Sequence, residues 1–146
     1  MKAITFHQPW ATLLATGSSR YALHSWRTSH RGPLAIYAGR RWTEDTIDLC
    51  LHEDIRPLLA RAGYDYLIQV PLGALVGIVQ LVDCISVGSG DWQSFDAADP
   101  AVLYGPFYPE NWAWVFAQAR PLRKPLPYRG KMGIFSVPDR VLKGAE

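Results

Sequence analysis

The apolar run from Ala74 to Val87 constrains this chain most. Gln80 and Asp83 interrupt it, and it falls short of the roughly 18 uninterrupted apolar residues of a membrane span. It therefore reads as a long central strand within Leu72–Val87, and a sheet must be built around it. Pro33–Ala38 is a second run with almost no polar break, which predicts a strand covered on both faces.

The N-terminal part supplies the strands and helix that meet this sheet. Lys2–Phe6 alternates like a strand. Pro9 suits the first turn of a helix, Trp10, Leu13 and Leu14 follow at helical spacing, and Gly17 is placed to stop it. Arg20–Trp26 reads as another strand, with Tyr21, Leu23 and Ser25 on one face and Ala22, His24 and Trp26 on the other. Ser29–Gly32 is turn-like. Polar and aromatic residues collect where these elements meet, so Thr5–Ala38 is the stretch around which function is sought.

Thr43 is an N-cap followed by Glu44 and Asp45 at the positive end of a helix dipole. Ile47, Leu51, Ile55 and Leu58 continue as an amphipathic helix that Pro57 kinks or divides and Gly63 ends. Gly88–Pro109 is too long for an ordinary connection and predicts a loop with irregular or short helical structure. Trp112–Ala119 reads as a strand with Trp112, Trp114 and Phe116 on one side. Pro121–Pro127 is extended, and Gly133–Val137 is the last strand. Strands follow one another without helices in the second half, which predicts an α+β fold: a mixed or antiparallel sheet forming a small closed or half-closed barrel, with two or three packed helices. Residues 1–146 read as a single domain, with no repeat and no linker.

Two cysteines, Cys50 and Cys84, exclude a disulfide framework or a four-cysteine zinc site. Neither a signal-peptide layout nor a membrane span is visible, so a cytoplasmic setting is expected. The net charge of +2 is too small to argue for nucleic acid. Its distribution says more. Arg20, Arg27, Arg31, Arg40 and Arg41 lie in one acid-free segment, and Arg120, Arg123, Lys124, Arg129 and Lys131 in another. If the two meet in space, one face is positive.

Several pieces, taken in order, carry a resemblance. Phe6-His7-Gln8-Pro9-Trp10 is similar to the opening strand–turn–helix of ASCH domains, members of the PUA-like superfamily. Ser25-Trp26-Arg27-Thr28 and Arg31-Gly32-Pro33-Leu34 resemble the segment that follows in that family. Ala74-Leu75-Val76-Gly77-Ile78-Val79 resembles its central strand. Trp112-Ala113-Trp114-Val115, Arg120-Pro121-Leu122 and Arg129-Gly130-Lys131-Met132-Gly133-Ile134-Phe135 resemble its closing strands. The resemblance implies a PUA-like β-barrel with packed helices and a cleft for RNA or a modified nucleoside between them. Some members are similar to nucleases of single-stranded RNA, others to amidohydrolases of acylated cytidine. One departure stands out. Where the family cleft carries glycine, lysine, glutamate and arginine, this chain has Gly17, Ser19, Ala22 and His24, so the lysine–glutamate pair is missing.

The expected ligand is therefore RNA or a nucleotide, single-stranded RNA in a basic cleft first, with metal-independent ribonuclease activity as an extension. Expected binding residues are His7 and Gln8 at a helix start, Trp26 as a stacking platform, and Arg27, Arg31, Arg40, Arg41 and Lys131 as anion contacts. His24 as base and Lys131 as acid, with Arg27 stabilising phosphate, are the candidates for catalysis. Arg27 beside His24 would keep the imidazole neutral. The alternatives are an acylated-cytidine amidohydrolase, for which Lys131 is the one cleft candidate, and a non-catalytic protein-interaction domain. No metal or other cofactor is expected: Cys50 and His52 point to different helix faces, and the acids form no tight cluster. The sequence leaves monomer or dimer open.

Overall fold

The structure is a computed structural model that describes residues 1–146, except for the side chains of residues 92 and 93. Six strands form one sheet in the order β2-β5-β4-β3-β1-β6. They are β1 (Lys2–Phe6), β2 (Tyr21–His24), β3 (Gly32–Ala38), β4 (Ala74–Ser86), β5 (Trp112–Pro127) and β6 (Ile134–Ser136). Only β1 and β3 run parallel; every other pair is antiparallel. The apolar run Ala74–Val87 supplies the long central strand, flanked by β3 and β5.

The sheet curls into a half-barrel. In a flat sheet β1 and β2, four places apart, would lie about 19 Å from each other. Instead the rings of Phe6 on β1 and His24 on β2 are 5.6 Å apart. Register shifts along β4 and β5 accompany the bend, and Gln118 sits at one of them with φ of 51°. β2 and β6 do not pair, so the barrel stays open. The two extended pieces expected on either side of Ala119 are one strand. Its proline-rich half pairs with β4 alone, leaving a free edge on which proline is tolerated.

β3 is covered on both faces, as its composition predicts. Leu34 and Ile36 join Phe6, Leu14, Val79, Trp114 and Phe116 inside the half-barrel. Ala35 and Tyr37 join Leu75, Ile78 and Phe135 on the outside. Helix α1 (Trp10–Thr16) packs Ala11, Leu14 and Ala15 on the inner face of the half-barrel and ends at Gly17 in the left-handed conformation. Its Leu14 faces the sheet, while Leu13 faces a separate cluster with Cys50, Ile55, Leu59 and Val70.

The long amphipathic helix is two helices, α2 (Glu44–Leu51) and α3 (Arg56–Arg61), with Thr43 as N-cap and Pro57 in the first turn of the second. The break resets the helical phase. Cys50, Ile55 and Leu59 are therefore buried, whereas Leu51, expected inward, is 48% exposed. Two single-turn helices complete the chain: α4 (Pro100–Tyr104) within the long loop, and α5 (Asp139–Leu142), which the sequence reading did not anticipate. No helix among the described residues is long and apolar enough to cross a membrane.

Helix α1 packs directly on the backbone of β4. A Cβ on Gly77 would stand 2.5 Å from the Cβ of Ala15 and 3.0 Å from the carbonyl oxygen of Arg120. Gly77→Ala should therefore lower unfolding free energy by about 1–3 kcal/mol, the usual cost of overpacking. Adding Ala15→Gly should restore part of the loss, with thermal and urea denaturation as the measurement.

Candidate functional site

The site is set by strand ends. Because β1 and β3 are parallel and Phe6 pairs with Ala38, the segments that follow them leave the sheet side by side. The Gly39 N–H donates to the Phe6 carbonyl at 2.9 Å. The segment before β6 reaches the same place, where the Thr5 hydroxyl donates to the Lys131 carbonyl at 2.7 Å. Tyr37 holds that segment from below by donating to the Tyr128 carbonyl at 2.8 Å. Its ring fills the space a side chain at Gly130 would need.

These three segments enclose a basin of about 590 Å³ lined by Thr5, His7, Tyr37, Arg40, Arg41, Arg129, Lys131 and Met132. It contains four cations and no acid, and none of the four forms an ion pair among the described residues. Such a basin attracts anions.

A second hollow of about 340 Å³ adjoins the basin at Thr5 and His7. Phe6, Trp10, Leu14, Tyr21, Ala22, Leu23 and His24 line it, and Ala101, Gly105 and Pro106 close one side. Thr5 and His7 line both hollows. Asp99 anchors the closing side. Its buried carboxylate accepts from the Ser19 hydroxyl (2.7 Å) and from the N–H groups of Arg20 (2.8 Å) and Ala101 (2.9 Å).

His24 packs against Phe6, Trp26 and Trp114, with ring centroids 5.6, 4.9 and 4.5 Å away. Its Nε2 is shut from solvent without a hydrogen-bond partner among the described residues. Burial pushes its pKa down to about 4, so the ring is neutral at physiological pH. The expected direction holds but the cause differs: desolvation does this, not Arg27. Burial also lowers the pKa of His7, with the Arg41 charge adding to it.

The residues expected to bind or to catalyse separate into three groups. His7, Arg40, Arg41 and Lys131 meet in the basin. His24 lies in the aromatic cleft, and Trp26, 42% exposed, packs behind it with its carbonyl accepting from Trp114 Nε1 at 3.2 Å. Gln8, Arg27 and Arg31 line neither hollow. Gln8 is buried, donating to the Pro71 carbonyl (2.9 Å) and accepting from the Thr12 N–H (3.1 Å), so it ties the helix start to the β4 approach. The Arg27 guanidinium lies 6.0 Å over the Trp112 ring. Arg31 donates to the carbonyls of Thr28 and His30 and lies 3.9 Å from Asp83. The early arginine turn and the late lysine segment therefore do not share one hollow; Arg40 and Arg41, beyond the other end of β3, take the place expected of Arg27 and Arg31.

Sequence reading overlooked Arg129, although it stands in the same basic cluster as Lys131. It also overlooked Asp99, whose signal was an acid just before Pro100 at a helix start. Ser19, where the resemblance implies a lysine, donates its hydroxyl to Asp99, and Ala22, where it implies a glutamate, is part of the cleft wall. No three His, Cys, Asp or Glu side chains among the described residues group to hold a metal ion. Cys50 is buried, which pushes its thiol pKa up to about 11, and the His52 ring packs against Tyr104 at 4.6 Å, tilted by 52°.

Two outcomes follow from this geometry. Asp99→Ala should cost about 2–4 kcal/mol, because it leaves buried donors without their carboxylate, and should raise hydrogen exchange across α4. His24 should titrate near pH 4 by NMR. The unfolded ring protonates near 6.5, so between about pH 6.5 and 4 the unfolded state holds the extra proton. Stability should then fall as pH drops through that window, by up to about 1.4 kcal/mol per pH unit. His24→Phe should remove this component and leave the curve above pH 6.5 parallel to wild type.

No protein-family model matches the chain. Over 84 residues, 57% of its length, it is 39% identical to mouse activating signal cointegrator 1, and over 83 residues 37% identical to the human protein of that name. The chain spans 14% of the length of these relatives. Among solved structures it resembles ASCH from Zymomonas mobilis, with a TM-score of 0.54 and 11% identity over 97% of this chain and 90% of that one. A mutant of the same protein gives a TM-score of 0.58 at 10% identity, covering 97% and 91%. At such identities the likeness is one of fold. The half-barrel and its opening strand–turn–helix together give the chain the fold of the ASCH domains, the family its sequence resembles.

Proposed function

We propose that the chain binds single-stranded RNA or a nucleotide, with a base in the aromatic cleft and phosphate in the basic basin. One observation carries this reading: the two hollows share the Thr5–His7 wall. One side offers flat apolar rings and no lysine, arginine or carboxylate; the other offers four cations. A ligand suited to both has an uncharged planar part joined to an anion, which is the makeup of a nucleotide. Aromatic walls tolerate any base, since each has a π-face. Arginine and lysine together provide bidentate and point-charge contacts to phosphate.

Binding is favoured over turnover. Cleavage by His24, Lys131 and Arg27 would need all three at one phosphate, yet they lie in the cleft, in the basin and in neither. The amidohydrolase reading needs a cation in the aromatic cleft, and Lys131 does not line it. The protein-interaction reading rests on the missing lysine–glutamate pair, and it requires no affinity for RNA, DNA or nucleosides at any salt concentration.

The test is fluorescence anisotropy with a short single-stranded RNA. Affinity should fall between about 50 and about 200 mM salt, with a log–log slope of about −0.7 for each phosphate neutralised. Arg41→Ala combined with Lys131→Ala should weaken binding about tenfold or more and flatten the slope by about 1.4. Arg31→Ala, outside both hollows, should leave affinity within about twofold. Binding that ignores salt, or is equally weakened by Arg31→Ala, contradicts the reading.

A further inference from the structure

The aromatic cleft has an open strand edge for one wall. β2 is at the end of the sheet and pairs only with β5. In an antiparallel pair, residues alternate between bonding the neighbour and pointing away from it. The Phe116 N–H donates to the Arg20 carbonyl at 2.8 Å, which fixes the phase. Ala22 and His24, opposite Trp114 and Trp112, are then the bonded positions. Tyr21 and Leu23 turn their N–H and C=O groups to the free side. The Tyr21 carbonyl accepts from the Ser19 hydroxyl at 3.4 Å. The N–H and C=O of Leu23 have no such partner among the described residues, and Leu23 lines the cleft.

A donor and an acceptor on one residue, pointing the same way between aromatic walls, complement a planar group that carries an acceptor and a donor side by side. We propose that the Leu23 main chain reads the pairing edge of an unpaired nucleobase seated in the aromatic cleft. This rests on the nucleotide-binding reading above and adds how the base is held. Four consequences define it. The edge must be free, so a duplexed base is excluded. Each standard base presents an adjacent donor and acceptor, so the reading is tolerant of identity. A substituent on the ring nitrogen of that edge blocks it. An extended peptide adding to β2 is disfavoured, since strand addition needs several successive pairs and only Leu23 offers a complete one.

Three RNA hexamers with the same phosphates separate the possibilities: uridine, N3-methyluridine and abasic. Wild type should bind the uridine hexamer about tenfold more tightly than either of the others, the cost of an unmade hydrogen bond in a desolvated site. The 15N-labelled Leu23 amide should shift only with uridine. Leu23→Pro removes the outward N–H without touching the β5 ladder, a substitution edge strands accept. It should bind uridine no better than wild type binds the abasic hexamer, with circular dichroism confirming the fold. Equal, salt-sensitive affinity for all three hexamers would overturn the Leu23 proposal and leave phosphate binding standing. Tighter binding of uridine with an unmoved Leu23 amide would also overturn it. No binding of any hexamer at low salt would remove the nucleotide reading itself.

Discussion

The parallel pairing of β1 with β3 is the constraint on which the rest depends. It places Phe6 opposite Ala38, so that two chain segments leave the sheet at one end. An antiparallel pair would have sent them to opposite ends. The antiparallel return of β6 along β1 then delivers Arg129–Lys131 to the same corner. Charges remote in sequence are thereby concentrated while the chain as a whole stays near neutral. The Thr5 hydroxyl and the Tyr37 ring fix that corner with two long-range hydrogen bonds.

The curl of the sheet makes the other half of the site. It brings β2 against the end of β1, and His24 enters an apolar setting between Phe6, Trp26 and Trp114. Desolvation disfavours the charged ring there. A neutral aromatic compartment and a cationic one then adjoin at Thr5 and His7. On the proposed reading, the contrast between them would separate a ligand's apolar part from its anion, and no acid lines either hollow.

Much of this was legible in the sequence, for identifiable reasons. Continuous apolar stretches specify buried strands whatever they pair with, so β3 and β4 were plain. Gly17 and Thr43 announce helix ends through local backbone chemistry, and the structure uses both. Pairing partners leave no comparable local mark. The basic cluster at 20–41 looked uniform, yet Arg31 and Arg40 stand beyond opposite ends of β3, and only Arg40 reaches the basin. Gln8 looked like a polar group awaiting a ligand because its partner, the Pro71 carbonyl, is far along the chain. Asp99 went unnoticed for the same reason, since Ser19 and Arg20 meet it across a long loop. Leu51 was misplaced because a break between two helices erases the phase on which periodicity relies.

The wall formed by Thr5 and His7 has one more consequence. Because the same two residues face both compartments, whatever reorients them on one side is felt on the other. Thermodynamic reciprocity then requires any effect of an anion on base affinity to be matched by an equal effect of a base on anion affinity. A molecule spanning both compartments would also hold its second half at high local concentration once the first is seated. Any coupling of that kind would run through Thr5 and His7.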